Sequence, residues 1–182
     1  MPTTINGTSG ITTSSVSGTS VDATTVTQGG VAMPRMVLAT AQPTTSGTSV
    51  DFTGIPSWVK RITVMFNGVS TNGTSSLQIQ LGSGSVTTTG YVSSANSTVT
   101  STTGLLASSN MAAANTYQGG ITIAYLGSYA RSAFVVTSRN DAATFWCAGS
   151  VTLSGILDRV RITTVNGTDT FDAGSVNILY EG

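Results

Sequence analysis

The sequence predicts an all-β fold, an antiparallel β-sandwich of jelly-roll type behind an extended N-terminal arm, on three observations. Apolar residues after position 50 recur at every second place, the periodicity of a strand with one buried face. Asn-Gly steps and Gly/Ser/Thr clusters punctuate those runs, as the turns of an all-β domain require. The period is two almost throughout, and no stretch makes a convincing helix.

Residues 1–40 form the arm and residues 41–182 the sandwich. In the arm Ile5, Ile11, Val16, Val21 and Val26 stand about five residues apart among Thr, Ser and Gly. A single chain buries such isolated side chains poorly. Three copies wound about an axis would bury them in layers, one residue per chain; the other reading is a free tail. The hexapeptide Ser17-Gly18-Thr19-Ser20-Val21-Asp22 recurs as Ser46-Gly47-Thr48-Ser49-Val50-Asp51. Two copies in so biased a composition do not make a solenoid. Gly29-Gly30 and Met33-Pro34-Arg35 mark a hinge.

Strands then follow in series. Val37–Thr40 is a first short candidate. Ile62, Val64 and Phe66 alternate with Arg61, Thr63 and Met65, and Leu77, Ile79 and Leu81 alternate with Gln78 and Gln80. Between them Asn67-Gly68 and Asn72-Gly73 supply residues tolerant of positive φ, so a hairpin loop is expected there. Residues 82–118 are mostly Ser, Thr, Gly and Ala around Tyr91, Leu105, Leu106, Met111 and Tyr117. They are expected to form long loops with one short strand at Tyr91–Val92, and such loops commonly carry function. Ile121–Tyr125 and Ala133–Thr137 pair across Gly127–Arg131. Phe145, Cys147, Gly149, Val151 and Leu153 share one face, leaving Trp146, Ala148, Ser150 and Thr152 on the other. Val160, Ile162 and Thr164, then Val176, Ile178 and Tyr180, complete eight to ten strands, the number a jelly roll needs.

Thr and Ser make up 58 of the 182 residues, with Gly next. That bias alone would suit disorder. The hydrophobic share of 39% and its strict patterning argue for a folded domain instead.

Charged residues are 8% of the chain, with net charge zero and no histidine, against a usual quarter. General acid–base catalysis draws most often on histidine, so an enzyme is not expected. The seven acids show no spacing that favours a catalytic pair. Clustered cations are also lacking, which argues against nucleic acid and against a polybasic membrane contact. No apolar run approaches the roughly 20 residues of a membrane span. Met1-Pro2-Thr3-Thr4 has neither basic segment nor apolar core, so a cleaved secretory signal is not expected.

Cys147 lies in phase with Phe145 and Val151 and lacks a basic partner, so it is expected to be a buried structural thiol. Asp169 and Asp172 could offer oxygen ligands to calcium, yet no twelve-residue calcium loop surrounds them, and solvated loop carboxylates are expected. Asp158, Arg159 and Arg161 suit a sheet's polar face or a subunit contact. Trp146, out of phase with the core, suits a subunit interface or a sugar-stacking platform. Trp58, after Ile55-Pro56-Ser57, suits core or hinge packing. Asn6, Asn72, Asn96 and Asn166 fit Asn-x-Ser/Thr, matches this composition yields by chance. No catalytic, cofactor-binding or metal-ligating residue is assigned, the receptor-contacting residues are unknown, and the few charges are expected on outward faces and loops.

The run from Thr48 to Ser70, containing Asp51-Phe52-Thr53-Gly54-Ile55-Pro56-Ser57-Trp58-Val59-Lys60-Arg61-Ile62, resembles a block of tailed-bacteriophage fibre proteins. Leu77-Gln78-Ile79-Gln80-Leu81-Gly82 is similar to the strand that follows it, and Gly174–Glu181 to the usual ending. The opening Thr3-Thr4-Ile5-Asn6 resembles the start of many virion appendage proteins. The resemblance implies a homotrimeric virion fibre, anchored to other virion proteins by its arm, that presents a β-sandwich knob to a host-surface glycan or protein. Loops within 67–76 and 82–118 are the expected contact regions. The short leader departs from a long-shafted tail fibre and fits equally a head fibre or a purely structural capsid decoration protein. The resemblance carries no catalytic residue.

Overall fold

The computed structural model describes residues 27–28, 30–109 and 111–182. The arm residues 1–26, with their five spaced apolar side chains and the first hexapeptide copy, lie outside the described residues.

Sixteen strands occur, and no helix is present among the described residues. They are β1 (Thr27–Gln28), β2 (Val31–Ala32), β3 (Met36–Leu38), β4 (Gln42–Pro43), β5 (Ser49–Thr53), β6 (Arg61–Thr71), β7 (Leu77–Ser83) and β8 (Ser85–Val86). There follow β9 (Val92–Ala95), β10 (Val99–Ser101), β11 (Leu105–Leu106), β12 (Tyr117–Gly127), β13 (Ala130–Arg139), β14 (Thr144–Thr152), β15 (Arg159–Thr164) and β16 (Phe171–Glu181). The chain divides into two compact units between Met33 and Pro34. In the first, β1 and β2 form a small antiparallel hairpin. The second is the sandwich. It takes in residues the sequence assigned to the arm, because β3 pairs with the end of β16 through Leu38–Leu179 and Met36–Glu181.

The sandwich has a nine-stranded sheet, ordered β10-β9-β14-β13-β12-β6-β16-β3 with β4 also on β16, and a five-stranded sheet, ordered β11-β7-β15-β5 with β8 on β7. All pairings are antiparallel. The chain crosses from β6 to β7 and returns from β15 to β16, while β6 pairs with β16 and β7 with β15. That outer wrap is the jelly-roll type of winding, and β12, β13 and β14 stay in the large sheet as a meander.

Alternation builds the core. Ile62, Val64 and Phe66, Ile121 and Ile123, Phe145 and Cys147, and Val176 and Ile178 turn inward from the large sheet. Val50, Phe52, Leu77, Ile79, Leu81, Val160 and Ile162 meet them from the small one. Burial of this apolar area is the main driving force for the fold.

Two expectations are corrected. Asn67-Gly68 is not a hairpin turn. Strand β6 runs through it to Thr71, and Asn67–Val69 bulge against both neighbouring strands, where the registers with β12 and β16 shift. Such a bulge re-aims a strand without ending it, and Gly68 takes the positive φ of 65° that it needs. Residues 82–118 are not long free loops either. Tyr91, Leu105, Leu106, Met111 and Tyr117 are all buried in the one core, and β8 to β11 pair along the segment. Its isolated large side chains are anchors. Tyr91 Oη accepts from the Leu81 N–H (2.7 Å) and donates to the Thr87 carbonyl (3.1 Å).

Gln78 and Gln80 alternate with the core residues of β7, yet they too are buried. The segment 101–104 covers them. Gln80 Nε2 donates to the Thr103 carbonyl (3.0 Å), and Gln78 Oε1 accepts from Ser101 Oγ (3.3 Å) and Thr103 Oγ1 (3.1 Å). Each buried amide is thus paired, as burial of polar groups requires.

Candidate binding surfaces

The meander leaves the outer face of the large sheet uncovered by the described residues. Cross-strand partners define its rows. One runs Thr100, Ser94, Ala148, Phe134, Thr122, Thr63, Leu179, Leu38 across eight strands. The next runs Trp146, Val136, Gly120, Met65, Asn177. Neither row contains a titratable side chain. Trp146 is 66% exposed, Phe134 62% and Val136 47%. Large apolar side chains gathered on an exterior face are a feature of contact surfaces in general. Trp146, Phe134 and Ala148 also line a recess of about 170 Å³ with Ser94 and Ser97. A wider one of about 420 Å³ adjoins it through Ser94 and Ala148 and reaches Val92 and Thr100. Trp146 therefore stands where its phase predicts. The backbone beneath it is fixed by Asn96, whose Oδ1 accepts from the Trp146 N–H (3.1 Å).

Charge is distributed differently. Four arginines hold carboxylates through Nε and Nη2: Arg61 with Glu181, Arg161 with Asp51, Arg159 with Asp158, and Arg139 with Asp141. The first two pairs bridge neighbouring strands, β6 to β16 and β15 to β5, so these charges fix register on polar faces. The hydrogen bond from Arg61 holds the Glu181 carboxyl below its usual range.

The other cations sit on aromatic rings. Arg35 lies over Trp58 (5.0 Å to the ring centroid), and Trp58 packs against Tyr180 (6.0 Å between centroids). Lys60 Nζ and the Arg131 guanidinium both lie over Tyr125, at 4.9 and 4.2 Å from its centroid. Neither has a carboxylate partner among the described residues. Arg131 is only 5% exposed, and its Nε has no hydrogen-bond partner. Burial lowers its pKa from the usual arginine value. With Ser57, Val59, Tyr129 and Ile156 these residues line a recess of about 200 Å³ at one end of the sandwich. The expectation that charges fall only on outward faces and loops fails at Arg131. It shares the inward phase of Ala133 and Thr137 on β13, and an arginine in that phase is the signal by which the sequence could have revealed the recess.

The remaining candidates have structural surroundings. Cys147 is buried, and burial pushes its thiol up to about 12, the behaviour of an inert core cysteine. Asp169 is not a free loop carboxylate: it accepts from the Ser75 N–H (2.9 Å) and from Asn166 Nδ2 (2.6 Å). Asp172 is exposed on β16. No group of three or more potential metal-ligating side chains occurs among the described residues. Asn72 and Asn166 use their amide oxygens to accept backbone N–H groups from Thr170 and from Thr168 and Asp169.

The fold is an all-β sandwich with an exposed apolar stretch on its large sheet and a recess lined by Lys60, Arg131 and Tyr125 at one end. The chain matches no known protein family, no curated protein and no solved structure.

Proposed function

We propose that this chain is a structural subunit of a virion appendage, a homotrimer without enzymatic activity that displays the sandwich for attachment to a host surface. The observation that carries the reading is the apolar stretch on the outer face of the large sheet, where Trp146, Phe134 and Val136 stand exposed on two rows that hold no titratable side chain. Three copies about one axis would each cover part of this face with a neighbour. The sequence resemblance to phage fibre proteins supplies the virion context, and the Thr/Ser/Gly composition suits a rigid displayed module.

Mass measurement in solution tests the assembly: light scattering on the full chain should return about three times the 18.4 kDa of one chain. A monomer at micromolar concentration overturns the reading. Imaging of virions carrying a label on this chain then distinguishes a tail fibre from a head fibre or capsid decoration protein.

A further inference from the structure

We propose that Lys60, Arg131, Tyr125 and Tyr129 form a binding site for the oxyanion of an acidic saccharide, a uronate carboxylate or a sulfate or phosphate substituent on a sugar. The inference concerns the end of the sandwich and stands whether or not the chain belongs to a virion.

Four of the six arginines are satisfied by carboxylates in two-point contact. In such a chain the site at Tyr125 is anomalous. Two cations share one aromatic ring, one of them is nineteen-twentieths buried, and no acid among the described residues faces either. A buried charge is ordinarily paired, because desolvation costs more than an aromatic face returns. Like charges held over one ring also repel each other. An oxyanion received in the recess removes both penalties at once. The Arg131 guanidinium offers planar donors suited to carboxylate, sulfate or phosphate, and Lys60, exposed at its rim, adds a mobile point charge.

The surroundings favour an anion carried on a sugar over a free ion. Tyr129 stands at the tip of the β12–β13 hairpin in the left-handed region, at φ 61°. It is 42% exposed, and Ile156 across the recess is 52% exposed. An exposed tyrosine face beside a charged pocket suits the apolar face of a pyranose, with its hydroxyl left for hydrogen bonding. The recess, at about 200 Å³, is smaller than drug-sized ligand pockets, so it takes one charged residue of a longer glycan. Two unpaired cations are too few for nucleic acid, whose binding rests on many phosphate contacts.

Calorimetric titration of the full chain with glucuronate, a sulfated hexose, glucose 6-phosphate, inorganic phosphate, glucose and a short polyglutamate peptide tests the site. The acidic sugars should saturate, weaken with added salt and bind more tightly than inorganic phosphate, and glucose should show no heat. Lys60→Gln, at an exposed position, should weaken the acidic sugars about tenfold. Tyr129→Ala should weaken them while leaving inorganic phosphate unchanged. Because Arg131→Gln removes a buried side chain, its binding is read only if its melting temperature shows a folded protein; the Lys60 and Tyr129 variants decide the matter otherwise. The proposal is overturned if no acidic sugar saturates at millimolar concentration, if Lys60→Gln binds as the parent does, or if glucose binds equally. Tighter binding of polyglutamate, or inorganic phosphate binding as well as the sugars with Tyr129→Ala silent, overturns the saccharide assignment.

Discussion

Gly73 and Asp169 share one space: the Asp169 carboxylate lies where a β-carbon on residue 73 would be. From there its two oxygens accept from the Ser75 N–H and Asn166 Nδ2. One carboxylate thus ties the segment before β7 to the turn before β16. Gly73→Ala should displace it and cost about 1–3 kcal/mol, the usual range for forcing an atom into filled space. Asp169→Ala should cost about 1–2 kcal/mol through the lost hydrogen bonds. The double variant should lose less than the two together, because alanine at 169 makes room for alanine at 73. Urea unfolding of the four proteins measures this coupling, and strict additivity would refute it.

Tyr91 makes a second tie of this kind, between a segment poor in apolar residues and strand β7. Tyr91→Phe keeps the ring and strands the Leu81 N–H in a buried position, since that N–H donates to the tyrosine oxygen. The expected loss is about 1–3 kcal/mol with little change in the dependence on urea concentration. A loss near zero would mean that water replaces the hydroxyl.

These two ties show where the sequence is legible and where it is not. Period-two alternation located β6, β7 and β12 to β16, because each has one face on the core and one face off it. It could not separate a turn from a bulge at Asn67-Gly68, since both use a glycine at positive φ; only the pairing partners on either side decide that. It also missed the folding of residues 82–118, where Tyr91, Leu105, Leu106, Met111 and Tyr117 are too far apart to form a pattern. Their burial is set by tertiary contact. Of the two candidate surfaces, Trp146 was visible from its phase. The recess at Tyr125 was marked only by Arg131 in the inward phase of β13; Lys60, Tyr125 and Arg131 come from three strand ends that only the sheet order brings together.

Burial of two acidic protons predicts alkaline sensitivity. Cys147 ordinarily loses its proton near 9 and Tyr91 near 10, and in the fold burial holds both up to about 12. For each group the folded state binds the proton more tightly than the unfolded chain. The stability is therefore fully present below pH 9 and declines as pH rises toward 12. Cys147→Ala should remove the first part of that decline and move its onset toward pH 10. Melting temperature followed from pH 7 to 11.5 checks it, and an identical onset in parent and variant would exclude the thiol as the cause.

The outer face yields the last prediction. Trp146 and Phe134 point away from the core, so replacing both with serine should leave the melting temperature of the single chain nearly unchanged, as at exposed sites generally. Phe145, the inward neighbour of Trp146, packs beside Tyr117 with 5.8 Å between ring centroids. Phe145→Ala should cost about 3–5 kcal/mol. If the sheet face is the contact between copies, the double serine variant should keep its far-ultraviolet spectrum and elute as a smaller species, approaching the 18.4 kDa of one chain. An unchanged trimer mass would take the contact off this face, and a loss of spectrum would show that Trp146 and Phe134 belong to the fold after all.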